Sequence, residues 1–140
     1  MVTTARKNPL SGRRLALKGD LNAPACPSRG VLEHVTSRWG VLILVALTEG
    51  THRFSQLRRT VGGVSEKMLS QTLQHLEADG FVTRTVHPVI PPHVDYALTP
   101  LGEEVALRVG DLAGWIEDNL GRVMVAREKV AARGPRRTPH

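Results

Sequence analysis

The sequence predicts a mainly α-helical domain carrying one small β-hairpin, and three observations predict it. Apolar residues recur at helical spacing through most of residues 28–123, only 81–87 and 94–99 alternate at period two, and glycine or proline marks the changes of pattern. A chain of 140 residues is the size of one domain and can bury a core without metal or disulfides.

Taken in order, residues 28–36, SRGVLEHVT, predict a short first helix, with Ser28 as N-cap and Val31, Leu32 and Val35 on one stripe. After Arg38, WGVLILVALTEG is apolar nearly all round and ends in a glycine, which predicts a central buried helix. Its β-branched residues would also suit a strand over 41–45, but the neighbouring segments are helical in pattern and offer no partner. RFSQLRRTVGG predicts a third helix of about two turns, with Ser55 as cap, Leu57 and Val61 inward, Arg58 and Arg59 outward, and a double-glycine turn behind it.

The run GVSEKMLSQTLQHLEADGFVTRTV then predicts a fourth helix, capped by Ser65 and ended by Gly80, that gives way at once to a strand. At about 100° per residue, Leu69, Leu73 and Leu76 fall within one narrow arc, while Lys67, Gln71 and Gln74 lie opposite with Ser70 beside them. In the hairpin, Val82 and Val86 share a face of one strand, and Val94, Tyr96 and Leu98 a face of the other. The connection PVIPP holds three prolines and is stiff. From Thr99 as cap and Pro100 at the first helical position, a long helix carries Leu101, Val105, Leu112, Ile116, Leu120 and Val123. Its stripe is too long for its own domain to cover, and a second copy is the expected cover, with Leu112, Trp115, Ile116 and Leu120 at the contact. Gly110 and Gly114 either admit a closely approaching helix or leave a weak spot in this one.

Charge is unevenly placed. Residues 1–30 carry a net +5, residues 31–120 a net −4 and residues 121–140 a net +5, in a chain of sequence pI about 10.4. Basicity therefore resides in tails rich in Arg, Lys, Gly and Pro, and the expected organisation is a disordered tail over 1–25, a domain over 26–123 and a disordered tail over 124–140. Such tails suit non-specific phosphate contacts and simple solubility equally. The lone Cys26 cannot form an internal disulfide, and no basic start leads into an apolar run of signal-peptide length, so a cytosolic protein is expected. The longest apolar run, VLILVAL, is far short of the roughly 20 residues of a membrane span.

Four helices, a hairpin and a long helix, in that order, form the plan of a winged helix-turn-helix. A helix following a glycine turn fits the DNA major groove, where Gln71 and Gln74 can pair with adenine, Lys67 can reach guanine acceptors, and Ser65 and Ser70 can contact phosphate or bases. Each alone is an ordinary solvated residue, and only their shared face gives them meaning. Arg58, Arg59, Arg84, His87 and His93 are candidate phosphate or minor-groove contacts. Arg84 shares a strand face with Val82 and Val86 and can instead pair with an acid.

Three segments, CPSRGVLEHVTSRWGVLILVAL, RFSQLRRTVGGVSEKMLSQTLQHLEADGFVTRTV and PPHVDYALTPLG, resemble the HxlR-type winged-helix transcriptional regulators of bacteria over about residues 26–118. The resemblance implies a homodimer built from the first and last helices, one recognition helix per half-site of a two-fold operator, and repression or activation of nearby genes. It also implies that Cys26 can sense oxidants or electrophiles; the residue lies before a helix N-terminus and three residues from Arg29, both of which favour the thiolate. An unreactive filler is the other reading of a lone cysteine. The chain departs from the family in Ser37-Arg38, where Gly-Lys is usual, and in His87, where an aromatic is common.

Other classes fit less well. Cys26 and His34 lack an oxyanion donor and stand two helical turns apart, so no enzyme is expected. Histidines at 34, 52, 75, 87, 93 and 140 do not form a metal-ligand pattern, although His87 and His93 can meet across the wing, and no cofactor or metal is expected. The alternatives are a winged helix that docks another protein, which an apolar or acidic recognition face would mark, and a regulator that binds a small molecule between its long helices without thiol sensing.

Overall fold

The computed structural model describes residues 20–134. Five helices and three short strands follow one another as α1 (Pro27–Thr36), α2 (Arg38–Leu47), β1 (His52–Arg53), α3 (Phe54–Thr60), α4 (Glu66–Ala78), β2 (Val82–His87), β3 (His93–Leu98) and α5 (Pro100–Ala132). The expected helices and hairpin are present, in a mostly helical domain with a small antiparallel sheet.

Local chemistry explains most boundaries. Ser37 ends α1 and starts α2: its Oγ donates to the His34 carbonyl and accepts from the Gly40 N–H, both at 3.0 Å. Gly40 is needed there, because a Cβ would stand 2.1 Å from the His34 carbonyl oxygen. Ser65 caps α4 by accepting from the Met68 N–H at 3.1 Å, as its position before an apolar run predicts. Gly80 follows α4 at φ +83°, a conformation in which a side chain is strained. Thr99 caps α5 by accepting from the Gly102 N–H at 2.9 Å while donating to the Gly80 carbonyl at 2.6 Å.

Two expected caps are each displaced by two residues. Ser28 does not cap α1, because Pro27 with its preset φ takes the first helical position and leaves Cys26 as N-cap. Ser55 does not cap α3 either. The helix begins at Phe54, and the Gln56 side chain accepts from the Arg53 N–H at 2.8 Å, closing the first turn two residues earlier.

The sheet has the order β1-β3-β2. In the hairpin, Val82 pairs with Leu98, Arg84 with Tyr96, Val86 with Val94 and His87 with His93. β1, which the sequence reading did not include, adds His52 opposite Tyr96 and Arg53 opposite Asp95. Two residues are too few to show an alternating pattern; only pairing with β3 defines them as a strand.

One core joins every layer. Ile43 and Leu44 of α2, Leu57 of α3, and Leu69, Leu73 and Leu76 of α4 are almost wholly buried. Each fully buried aliphatic side chain of this kind contributes about 1.5–3 kcal/mol of hydrophobic stabilisation. Tyr96, Val82, Ala106 and Val109 close the core from the sheet and α5. The strand reading of 41–45 thus gives way to helix, with α2 packed on α1, α4 and α5.

α5 runs to Ala132, nine residues beyond the expected boundary at Val123. The residues added, MVAREKVAA, are nearly all good helix formers with no glycine or proline, so the helix propagates through them. The expected tail over 124–140 is therefore helical as far as Ala132, while residues 135–140 and residues 1–19 of the N-terminal tail lie outside the described residues. Among the described residues, no single helix is long and apolar enough to cross a membrane.

Candidate nucleic-acid interface

α4 separates its two faces as the periodicity predicts. Leu69, Leu73 and Leu76 are buried with Thr72, whose hydroxyl donates to the Met68 carbonyl at 2.7 Å. Lys67, Gln71 and Gln74 are exposed and Ser70 is half-buried. None of the side chains of Lys67, Gln71 or Gln74 forms a hydrogen bond or ion pair among the described residues, so their donors and acceptors face outward unengaged.

The approach to α4 is basic. Arg58 and Arg59 stand exposed in the last turn of α3, before the Gly62-Gly63 turn. The Arg58 guanidinium lies 3.3 Å from the Glu66 carboxylate at the start of α4, which leaves Arg59 the freer of the two. That ion pair is exposed on both sides and contributes little stability, so Arg58 can exchange Glu66 for another anion at small cost.

The wing divides the remaining candidates. Arg84 lies on the core-side face of the hairpin and lines a cleft of about 340 Å³ with Ser70, Gln74, Glu77 and Tyr96. It makes no ion pair among the described residues, so the alternative in which it pairs with an acid is not met. His87 and His93 belong to the opposite, outward face by strand alternation. There the His87 Nε2 lies 2.9 Å from the Asp95 carboxylate, and the two imidazoles stack with centroids 4.7 Å apart. The structure thus brings these histidines to each other and to Asp95, away from the α4 surface.

Asp79 was not singled out in the sequence, yet it ties α4 to α1. Its carboxylate lies 2.6 Å from the His34 Nδ1, and the His34 ring stacks on His75 at 4.4 Å. Asp79 and His34 are 45 positions apart, so no local spacing signals the pair. Cys26 sits at the opposite end of α1, half-buried. The Ser28 backbone N–H foremost, then the Ser28 hydroxyl and the Asp20 and Arg29 backbones, hold its thiol below the ordinary value, against an opposing effect of partial burial.

The comparison with known families falls on this arrangement, from the last turn of α1 to about three-quarters of the way along α5. The HxlR-like helix-turn-helix model matches residues 34–124. The chain belongs to the HxlR-like helix-turn-helix family. Members of the family are transcriptional regulators, not enzymes. HxlR-like relatives include the "Uncharacterized HTH-type transcriptional regulator YtfH" of Escherichia coli (strain K12), 66% identical over 115 residues that cover 82% of this chain and 91% of the relative. A solved structure of YtfH from Salmonella typhimurium superposes with a TM-score of 0.76 at 67% identity, covering 79% of this chain and 99% of that one. The redox regulator HypR in its oxidized form matches with a TM-score of 0.62 at 33% identity, covering 67% of this chain and 97% of HypR. The HxlR-like chain described here is therefore a DNA-binding transcription regulator with a winged helix fold.

Proposed function

We propose that the protein is a homodimeric regulator that binds a two-fold DNA operator sequence-specifically, with α4 in the major groove. One observation carries this reading: a polar, unengaged stripe of Lys67, Gln71 and Gln74 backs directly onto fully buried leucines, so the helix is held rigidly while its readable groups point outward. Ser65 and Ser70 flank the stripe, and Arg58, Arg59 and Arg84 supply phosphate contacts on either side of it. His87 and His93 face the other way and take a lesser part, reaching phosphate only at the wing tip.

The second copy covers α5. Leu112, Trp115, Ile116 and Leu120 each leave roughly half of their surface exposed, a continuous apolar stripe of the kind that marks an interface. Leu32 on α1 is also exposed, which suits a contact built from the first and last helices. The working compartment is the cytosol.

Oxidants or electrophiles are the proposed signal, received at Cys26. The lowered thiol and the likeness to HypR in its oxidized form support this. α1 offers the route from signal to DNA: Cys26 caps one end, and His34 near the other holds Asp79 at the end of α4. A disulfide or adduct at Cys26 shifts α1, and α4 moves with it.

The test is fluorescence anisotropy on the DNA upstream of the protein's own gene and on scrambled DNA, across a salt series. Tight, salt-sensitive binding that prefers the upstream fragment, and that changes with a thiol oxidant in the parent but not in Cys26→Ser, is the expected result. Equal and weak binding to both DNAs would assign the signal to the basic tails and favour a protein-docking role for the α4 face.

A further inference from the structure

We propose that the outward face of the wing is a binding site for a zinc-type divalent cation, held by His87, His93 and Asp95. This goes beyond DNA reading and does not rest on it. The hairpin register builds the site: His87 pairs directly with His93, and Asp95 follows two positions on along β3, so all three side chains leave the same face. One ligand atom from each lies within 4.8 Å of the other two, and all three residues are half-buried against the strands. The other stacked histidine pair among the described residues offers less, because only His34 of His34 and His75 meets a carboxylate, that of Asp79.

The donor set decides the class of ion. Two imidazoles and one carboxylate, without a thiolate, suit zinc and its neighbours in the transition series rather than calcium or magnesium. Bond lengths of about 2.0–2.2 Å place tetrahedral ligands roughly 3.4 Å apart, so atoms now within 4.8 Å of one another need to draw together by about an ångström. The His87 nitrogen that now lies 2.9 Å from Asp95 becomes a lone-pair donor, with the ring proton carried on the other nitrogen. A water fills the fourth position. Arg53, opposite Asp95 in register, is the nearest cationic residue by strand pairing and forms no ion pair with it. A bound ion would clasp β2 to β3 where the proline-rich loop leaves the sheet.

The test is titration of the tag-free full chain with Zn²⁺ in competition with a chromophoric chelator, without DNA. The expected result is one ion per chain, with His93→Ala and Asp95→Asn each weakening binding by about tenfold or more and His75→Ala leaving it unchanged. Zn²⁺ should raise the melting temperature of the parent but not of the two wing variants, whose own melting without Zn²⁺ reports that they fold. The absence of a one-to-one step, or a step that survives both wing variants, would overturn the site.

Discussion

Single side chains divide here into those whose neighbours declare their role and those whose neighbours do not. Leu69, Leu73 and Leu76 were legible because burial obeys helical periodicity, and all three are almost fully enclosed. Asp79 and Asp95 were not, because each acts through a histidine brought to it by tertiary structure or strand pairing. Gln71 is proposed to read a base, so Gln71→Ala should weaken binding to the operator by about 1–3 kcal/mol and leave binding to scrambled DNA nearly unchanged. Equal loss on both DNAs, measured by anisotropy, would remove it from that role. Cys26 carries a second prediction at this scale. Because its thiol is held below the ordinary value, the thiolate is already present at a pH where an ordinary cysteine is mostly protonated. Alkylation by iodoacetamide should therefore reach half its limiting rate at lower pH than in the unfolded chain, and coincident pH profiles would make the residue an ordinary thiol.

Among the elements, α4 and the start of α5 were the most legible, since each combines a capping residue with a long apolar period, whereas the end of α5 was missed by nine residues because no breaker directly follows Val123. Both predicted caps, Ser65 and Thr99, accept the expected backbone N–H. The caps of α1 and α3 were misplaced because proline and glutamine also start helices, and a serine nearby does not outrank them. β1 was invisible for a different reason: it exists only by pairing with β3. Ser65 has a consequence beyond stability. Ser65→Ala should cost about 1 kcal/mol, read from urea unfolding, through the lost bond to the Met68 N–H. If Ser65 also contacts DNA, the same variant should weaken operator binding even where the protein remains fully folded.

For the molecule as a whole, the exposed stripe of α5 is the surface that the proposed second copy covers. A 33-residue helix is about 50 Å long, and only its first third is packed against its own domain through Gly102, Ala106 and Val109. In the proposed dimer the remainder lies against its mate, so Ile116→Glu should convert dimer to monomer in light-scattering measurements and lose operator binding by far more than Gln71→Ala. A dimer that persisted with its affinity intact would place the partner surface elsewhere.

The joint between α4 and α5 would give the proposed dimer a further property. A Cβ at Gly102 would stand 1.9 Å from the Phe81 carbonyl oxygen, so the two backbones touch with no side chain between them, and Thr99 ties the same corner to Gly80. Such a joint transmits motion without slack, like a keyed shaft. Rotation of one long helix against its mate would turn both recognition helices through a fixed arc, and the distance between them becomes a gauge. One extra base pair between half-sites shifts them by about 3.4 Å and rotates them by roughly 35°. A stiff corner cannot absorb that mismatch, so spacer length in the operator would be read as strictly as its bases.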